Sequence, residues 1–399
     1  MAPEVLDAMT PFFLNEYGNA SSVHTFGQNA KKALEAAREQ IAETLNCSPK
    51  EIVFTSGGTE SDNTALRGIA AAKIKKGNHI ITSAIEHHAV LNEANSLKKQ
   101  GFDVTVLPVD QYGTVSVDSL ADAIRDDTIL ISVMYANNEV GTISPIAEIG
   151  ALAKEKGIIF HSDAVQALGK LNVDVDHLNV DLMSFSAHKL HGPKGIGILY
   201  IRRGSRPRPL IIGGHHEKNR RAGTENVAGA VGFAKAVELA TKDMEGENRR
   251  IATLRDRLQK NILDKVDHVY VSGDQTNRLP NTLHMAFNFI EGEGILLGMD
   301  MKGIAVSTGS ACTSGSLEPS HVLSAMNVPV ELAQGGIRFS LSRYNTEAEM
   351  DYVADVVSQV VPRLRNMSPL WDKYKAGTLD MKEFENLACY TCRVAPAEE

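Results

Sequence analysis

From Gln28 to Leu45 apolar residues return at Ala30, Ala33, Leu34, Ala37, Ile41 and Leu45, one face of a 3.6-residue period, and predict a helix. Beyond it, short apolar runs alternate with helical patterns. The runs are Ile52-Val53-Phe54, His79-Ile80-Ile81, Val104-Thr105-Val106, Ile129 to Val133, Ile158-Ile159-Phe160, Leu182-Met183 and Gly197 to Ile201. Several lack polar–apolar alternation, as strands covered on both faces do. The pattern predicts an α/β domain around a mostly parallel sheet, with ligands at the carboxyl ends of its strands. A charged helical stretch from about Thr241 to Lys265 then leads into a smaller α+β domain. There, strands are expected at Val269 to Ser272, Thr282 to Asn288 and Ile337 to Leu341, and helices at Glu293 to Met301 and Thr346 to Arg365. The expected division is 15–245 for the large domain and 246–399, together with 1–14, for the small one.

Length and composition narrow the class of protein. With 399 residues, 43% hydrophobic and 23% charged, the chain has enough apolar surface for a large core. A formal net charge of −8 argues against nucleic acid or an anionic membrane as the main partner. The local basic run Arg202-Arg203-Gly204-Ser205-Arg206-Pro207-Arg208 reads as a solvated loop or subunit contact. No apolar run approaches the roughly 20 residues of a membrane span and no signal peptide opens the sequence, so a cytoplasmic protein is expected. Four cysteines do not make a disulfide scaffold. Cys47 reads as an inert, half-buried thiol. Cys389 and Cys392 supply only two of the four ligands that a structural zinc site needs.

The polar residues at the predicted strand ends carry the chemistry. Asp163 closes the run Gly157 to Phe160 within His161-Ser162-Asp163-Ala164-Val165-Gln166. Lys189 follows the next strand within Ser184-Phe185-Ser186-Ala187-His188-Lys189-Leu190-His191-Gly192-Pro193-Lys194-Gly195. A carboxylate and a lysine at neighbouring strand ends suit a pyridoxal phosphate enzyme: the lysine carries the cofactor, and the acid pairs with the pyridinium nitrogen. Thr55-Ser56-Gly57-Gly58-Thr59-Glu60-Ser61-Asp62-Asn63 joins a strand to a helix, where small residues and free N–H groups can hold a phosphate; a capped turn is the plainer alternative. His87 follows another strand, where it either caps a helix or lies over a cofactor ring. Asn138, in Tyr135-Ala136-Asn137-Asn138-Glu139, offers an amide to a cofactor or substrate. Thr224, in Arg221-Ala222-Gly223-Thr224-Glu225-Asn226, offers a hydroxyl to a partner subunit's phosphate or simply caps the next helix. Ser307-Thr308-Gly309-Ser310-Ala311-Cys312-Thr313-Ser314-Gly315-Ser316 cannot pack a core and predicts a mobile, exposed loop in which Cys312 can reach a substrate. Arg338 stands at the start of a predicted strand, suited to a carboxylate or to a structural ion pair.

Together these residues closely resemble the NifS/IscS-type cysteine desulfurases, fold-type I pyridoxal phosphate enzymes that work as homodimers. The likeness runs from about Gly18 to Trp371. It rests above all on Ser-Gly-Gly-Thr-Glu-Ser-Asp-Asn, Ser-x-His-Lys-x-x-Gly-Pro-Lys-Gly and Gly-Ser-Ala-Cys-Thr-Ser-Gly-Ser-Leu-Glu-Pro-Ser, the last marking the group with a long catalytic loop. The resemblance implies that Lys189 carries pyridoxal 5'-phosphate and that Cys312 is the nucleophile that becomes a persulfide. Asp163 would pair with the pyridinium nitrogen, Gln166 with the phenolic oxygen, and His87 would stack on the ring as a third catalytic residue. Gly58, Thr59, Ser186, Ala187, His188 and, across the dimer, Thr224 would surround the phosphate. Asn138 and Arg338 would take the substrate carboxylate, with Asn138 also near the ring oxygen.

The implied reaction turns L-cysteine into L-alanine and leaves sulfur on Cys312 for an iron–sulfur scaffold or another acceptor protein. Through that persulfide, Cys312 is also a candidate transient ligand of an iron–sulfur cluster. Members of the family usually open with a further strand and a Leu-Asp-x-x-Ala-Thr-Thr segment, where this sequence has Met1-Ala2-Pro3-Glu4; either the start is misplaced or the protein lacks a piece that helps shape the substrate pocket. The alternatives are a selenocysteine lyase, a related β-eliminating enzyme or an aminotransferase on the same fold, and a non-catalytic partner in an assembly complex. A transaminase needs no nucleophilic thiol, and a purely structural role demands none of Lys189, Asp163, His87 and Cys312.

Overall fold

The computed structural model describes residues 1–308, 319–382 and the backbone of Tyr390–Thr391. Cys312 with the rest of the predicted loop from Gly309 to Ser316, and Cys389 and Cys392, lie outside the described residues. The chain forms two compact units. One is Met1–Pro108, Val115–Ala136 and Ser144–Met244; the other is Val109–Thr114, Asn137–Ile143 and Glu245–Glu399.

In the first unit, helices α1 (Pro3–Leu14) and α2 (Thr25–Thr44) precede an alternating series. It runs β1 (Ile52–Thr55), α3 (Gly58–Lys73), β2 (His79–Ser83), α4 (His88–Lys99), β3 (Asp103–Leu107), α5 (Val117–Ala123), β4 (Thr128–Ser132) and α6 (Ile146–Lys156). Then come β5 (Ile159–Asp163), β6 (Leu182–Ser186), β7 (Gly197–Ile201) and α7 (Val227–Thr241). The strands lie in the order β1-β7-β6-β5-β4-β2-β3. Pairs β2–β3, β2–β4, β4–β5 and β5–β6 are parallel, and β7 runs against both β6 and β1. The segment 187–196 is too short for the helical crossover a parallel return requires, so β7 must reverse. Every residue of β1, β2, β4, β6 and β7 is buried, which is why these runs show no alternation.

Residues 1–14, expected with the small domain, belong to the first unit. Helix α1 buries Val5 and Met9 and packs on α7, where Gly232 leaves room: a Cβ there would meet Met9 Sδ at 2.4 Å. Ala2 N donates to His191 O at 2.8 Å, so the first helix is tied to the turn that follows Lys189.

The second unit contains α8 (Met244–Leu263), β8 (Val269–Ser272), β9 (Thr282–Phe287), α9 (Gly292–Asp300), β10 (Ser307–Thr308), α10 (His321–Ala325) and α11 (Val330–Ala333). It ends with β11 (Gly336–Ser340), α12 (Glu347–Arg365), α13 (Pro369–Lys375) and β12 (Tyr390–Thr391). Its sheet has the order β10-β11-β9-β8-β12. Leu254, Leu258 and Ile262 of α8 and Val357 and Val361 of α12 cover Leu283, Met285, Phe287 and Ile337 of that sheet. Among the described residues no helix is long and apolar enough to cross a membrane.

One buried ion pair fixes the loop that carries Thr224. Arg38 of α2 meets Glu217 with two hydrogen bonds of 2.8 Å, both side chains almost fully enclosed. The pair anchors a run in which Glu217, Lys218 and Asn219 take three consecutive left-handed conformations, at φ of 46°, 57° and 65°, which Glu217 and Lys218 do not favour alone. Glu217→Gln leaves the guanidinium buried without its main counter-charge. It is expected to cost about 3–5 kcal/mol, read as a lower urea midpoint at unchanged slope. A midpoint within error of wild type would show that Glu35, 3.3 Å from Arg38, is partner enough.

Candidate active site

The turn after β1 builds an anion cradle. Gly57 precedes α3 at φ 154°, and no side chain caps the helix, so its first N–H groups and dipole face outward. A Cβ on Gly58 would lie 2.7 Å from Val165 Cγ2, so only glycine lets the helix start sit this close to the end of β5. Ser186, at the end of β6, lies beside the same turn and shares a 2.8 Å hydrogen bond with His188 Nδ1. Of the capping-box alternative only the glutamate's half is present, because the N-cap is Gly57 and has no side chain. Glu60 accepts from Ser56 N at 2.8 Å and from Arg221 at 2.9 and 3.2 Å; against burial, which raises it, these bonds hold Glu60 below the usual carboxylate range. Arg221 thereby ties the cradle to the loop bearing Thr224, whose own side chain is exposed. Helix N–H groups, two hydroxyls and an imidazole suit a phosphate.

Asp163 ends β5, paired in register with Ser184 of β6, and Lys189 follows in the short helical turn after Ser186. Asp163 is buried, whereas Lys189 and His188 are solvent-exposed. Asp163 Oδ1 accepts from Val165 N at 2.9 Å. Burial pushes this carboxyl up to about 6, although the Val165 bond and the Lys189 charge pull it down. A buried acid of this kind gains most from a cation placed against it, which is the fit expected for a pyridinium nitrogen. His87 caps α4, its Nδ1 accepting from Ala89 N at 3.1 Å, so the proton of the neutral ring sits on Nε2. The capping role and a place over a ring are therefore compatible. Gln166 lies in the turn after β5, and its Oε1 is 3.4 Å from Lys170 Nζ.

Behind Asp163 lies a polar cluster that the sequence did not announce. His161, on the same face of β5, bridges Ser132 of β4 at 2.9 Å and Ser184 of β6 at 3.0 Å, and stands 3.6 Å from Asp62 of α3. Burial drives His161 down to about 3, so it is neutral. Burial first, then Asp163, raises Asp62 well above the carboxylate range. Burial also lifts Glu86, which accepts from Ser83 Oγ and Met134 N, to about 8. The cluster keeps neighbouring carboxyls protonated and concentrates the negative charge on Asp163.

The second unit brings Asn138 and Arg338 together. Asn137 Oδ1 accepts from Glu139 N and Val140 N, forming the turn that carries Asn138. Arg338 of β11 donates Nη1 to the Asn138 carbonyl at 2.8 Å, while its Nε is buried and makes no hydrogen bond. Opposite it in β9, His284 is pushed to about 3 by burial and then by Arg338, so the guanidinium faces no second cation. An orphaned guanidinium donor suits a carboxylate. Glu139 accepts from Ser320 Oγ, which anchors the chain just beyond the cysteine segment. Cys47 is half-buried, and burial pushes its thiol up to about 12, as the inert reading expects. Among the described residues no three His, Cys, Asp or Glu side chains gather as a metal site.

A strand-end lysine and buried aspartate below an uncapped helix start, on a sheet with one reversed strand, define a fold-type I architecture. The chain belongs to the aminotransferase class-V family, whose model matches residues 1–353. Within that family it falls with the NifS/IscS-type group. It is 53% identical over 372 residues to the cysteine desulfurase IscS of Dictyoglomus turgidum, covering 93% of this chain and 94% of the relative. To the cysteine desulfurase IscS of Methanosarcina thermophila it is 55% identical over 370 residues, covering 93% and 91%. A solved NifS-like protein superposes with a TM-score of 0.86 at 41% identity, covering 91% of this chain and 97% of that one. The fold and the family read from the motifs are thus borne out, and the family is one of pyridoxal phosphate enzymes.

Proposed function

We propose that the chain is a pyridoxal phosphate-dependent cysteine desulfurase that converts L-cysteine to L-alanine and takes the sulfur as a persulfide on Cys312. The observation that carries this reading is the buried Asp163 at the end of β5, with the Lys189 charge acting on it, together with the uncapped start of α3. When bound, the cofactor supplies an electron sink that lets the substrate Cα proton leave. Gly58, Thr59, Ser186, Ala187 and His188, with Thr224 of a second copy in a homodimer, hold its phosphate. Asp163 would pair as an anion with the ring nitrogen. Gln166 would donate to the phenolic oxygen and His87 would cover the ring.

Asn138 and Arg338 receive the substrate carboxylate. The Lys189 amine takes the Cα proton and returns it. The Cys312 thiolate attacks the substrate sulfur: an S–S bond forms, the C–S bond breaks, and its electron pair stays on carbon, where protonation completes alanine. The persulfide then serves a sulfur acceptor, an iron–sulfur scaffold being the partner that the relatives' name suggests, in the cytoplasm. The test is to give purified protein L-cysteine and quantify alanine and protein-bound persulfide, with Cys312→Ser in parallel. Stoichiometric persulfide that vanishes in the variant is the expected result. Alanine formed at an equal rate by Cys312→Ser would assign the sulfur step elsewhere.

A further inference from the structure

Lys170 is a buried-side lysine that the reaction above does not use. It lies four residues beyond Gln166, in the turn after β5, and Nζ donates to the Gln166 main-chain oxygen at 2.9 Å while standing 3.4 Å from Oε1. The turn is firmly seated. Gly169 is left-handed at φ 73°, and a Cβ there would strike Ala240 Cβ at 2.8 Å and Leu190 Cδ2 at 2.9 Å. Main-chain bonds from Lys170 N and Leu171 N to Ala167 O close it further. Lys170 therefore has little freedom to leave Gln166. An amide has one accepting and one donating end, whereas a lysine head offers donors to both oxygens it meets here. With Oε1 turned to Lys170, the Gln166 NH2 group must face the other way. Burial, and then the charge of Lys189, bring Lys170 to about 7, so it stands close enough to the cofactor lysine for the two charges to repel.

We propose that Lys170 is a positioning residue: it fixes the rotamer and flip of the Gln166 amide so that the NH2 group is presented to the phenolic oxygen of bound pyridoxal phosphate. This rests on the cofactor reading above. Without the lysine, the amide can turn its carbonyl toward that oxygen, replacing an attraction by a repulsion.

The test uses the cofactor-loaded protein and the pH midpoint of its visible absorption band, a readout that does not depend on turnover. Losing a hydrogen bond to the phenolic oxygen leaves more negative charge beside the nitrogen that joins Lys189 to the cofactor. That nitrogen then holds its proton more tightly, and the midpoint rises. Lys170→Met and Gln166→Leu are each expected to raise it by about one pH unit, a roughly tenfold change in the protonation equilibrium. The double variant should match Gln166→Leu alone, because Lys170 acts through that amide. Lys170→Gln removes the charge but keeps a donor for Oε1, and should stay near the wild-type midpoint. A midpoint unmoved in Lys170→Met, or a double variant showing the sum of both shifts, overturns the assignment. So does Lys170→Gln shifted as far as Gln166→Leu, a comparison that stands even where Lys170→Met fails to fold. A wild-type protein that develops no visible band with pyridoxal phosphate would instead overturn the cofactor reading itself.

Discussion

Lys189→Ala is expected to lose the visible band of the bound cofactor and to stop alanine formation. Lys189 stands in the turn after β6, with Ala187 and Leu190 of that turn buried, and is itself exposed while its charge acts on Asp163. Removing it takes away both the covalent hold on the cofactor and the base that moves the Cα proton. Loss of the proton transfer alone costs about 10²–10⁴-fold. The cradle at Gly58, Thr59 and Ser186 does not depend on Lys189, so the variant should still take up cofactor reversibly and release it on dialysis. Asp163 should also hold its proton to higher pH, since the Lys189 charge is one of the two influences that pull it down. Absorbance before and after dialysis, with alanine measured on the same samples, checks both. A variant that keeps a dialysis-resistant visible band would move the covalent role to another lysine, and Lys170 is the neighbour to examine first.

How much of this was legible in the sequence depends on what each residue's neighbours reveal. Asp163 and Lys189 were readable because each follows a short apolar run, and a parallel sheet delivers such residues to a common edge. The strands of the second unit were readable for the same reason, as at Val269 to Ser272, which is β8 to the residue. Helix α1 was misplaced because its apolar positions match no single nearby surface; its partner α7 comes far later in the chain, and Gly232 gives no sign in advance that it makes room for Met9. Asp62 lies between Ser61 and Asn63 in a stretch that reads as a polar helix face, yet α3 turns Ser61 and Asp62 into the interior. His161 and Glu86 are similar: residue type says that they ionise, while only the packing says that they are enclosed and neutral. Lys170 carried one usable signal, its spacing of four from Gln166, but that spacing means contact only in a helical turn, and the run after β5 gave no periodicity to establish one.

Asp163→Asn is expected to act with opposite signs on the cofactor-free and the cofactor-loaded protein. In the unfolded chain the carboxyl ionises near its ordinary value of 3.8, whereas burial in the fold holds the proton to about 6. Between those values the unfolded chain gives up a proton that the folded one keeps. The folded state therefore loses stability as pH climbs from about 4 to 6 and stays lower above that range, by of order 3 kcal/mol. Asparagine has no proton to lose, and its Oδ1 can still accept from Val165 N. Removing the charge also relieves Asp62, whose carboxyl is raised by burial and then by Asp163. Cofactor-free Asp163→Asn should thus be more stable than wild type at pH 8 and about equal to it at pH 4, measured by urea unfolding at both. With the cofactor loaded, the same change removes the anion opposite the ring nitrogen, which then lies unprotonated and draws charge poorly. Alanine formation should fall at least about a hundredfold, the scale on which one preorganised electrostatic partner is felt. A cofactor-free variant less stable than wild type at pH 8 would mean that the fold favours the Asp163 anion, with pairing to the Lys189 charge outweighing the burial that raises its carboxyl.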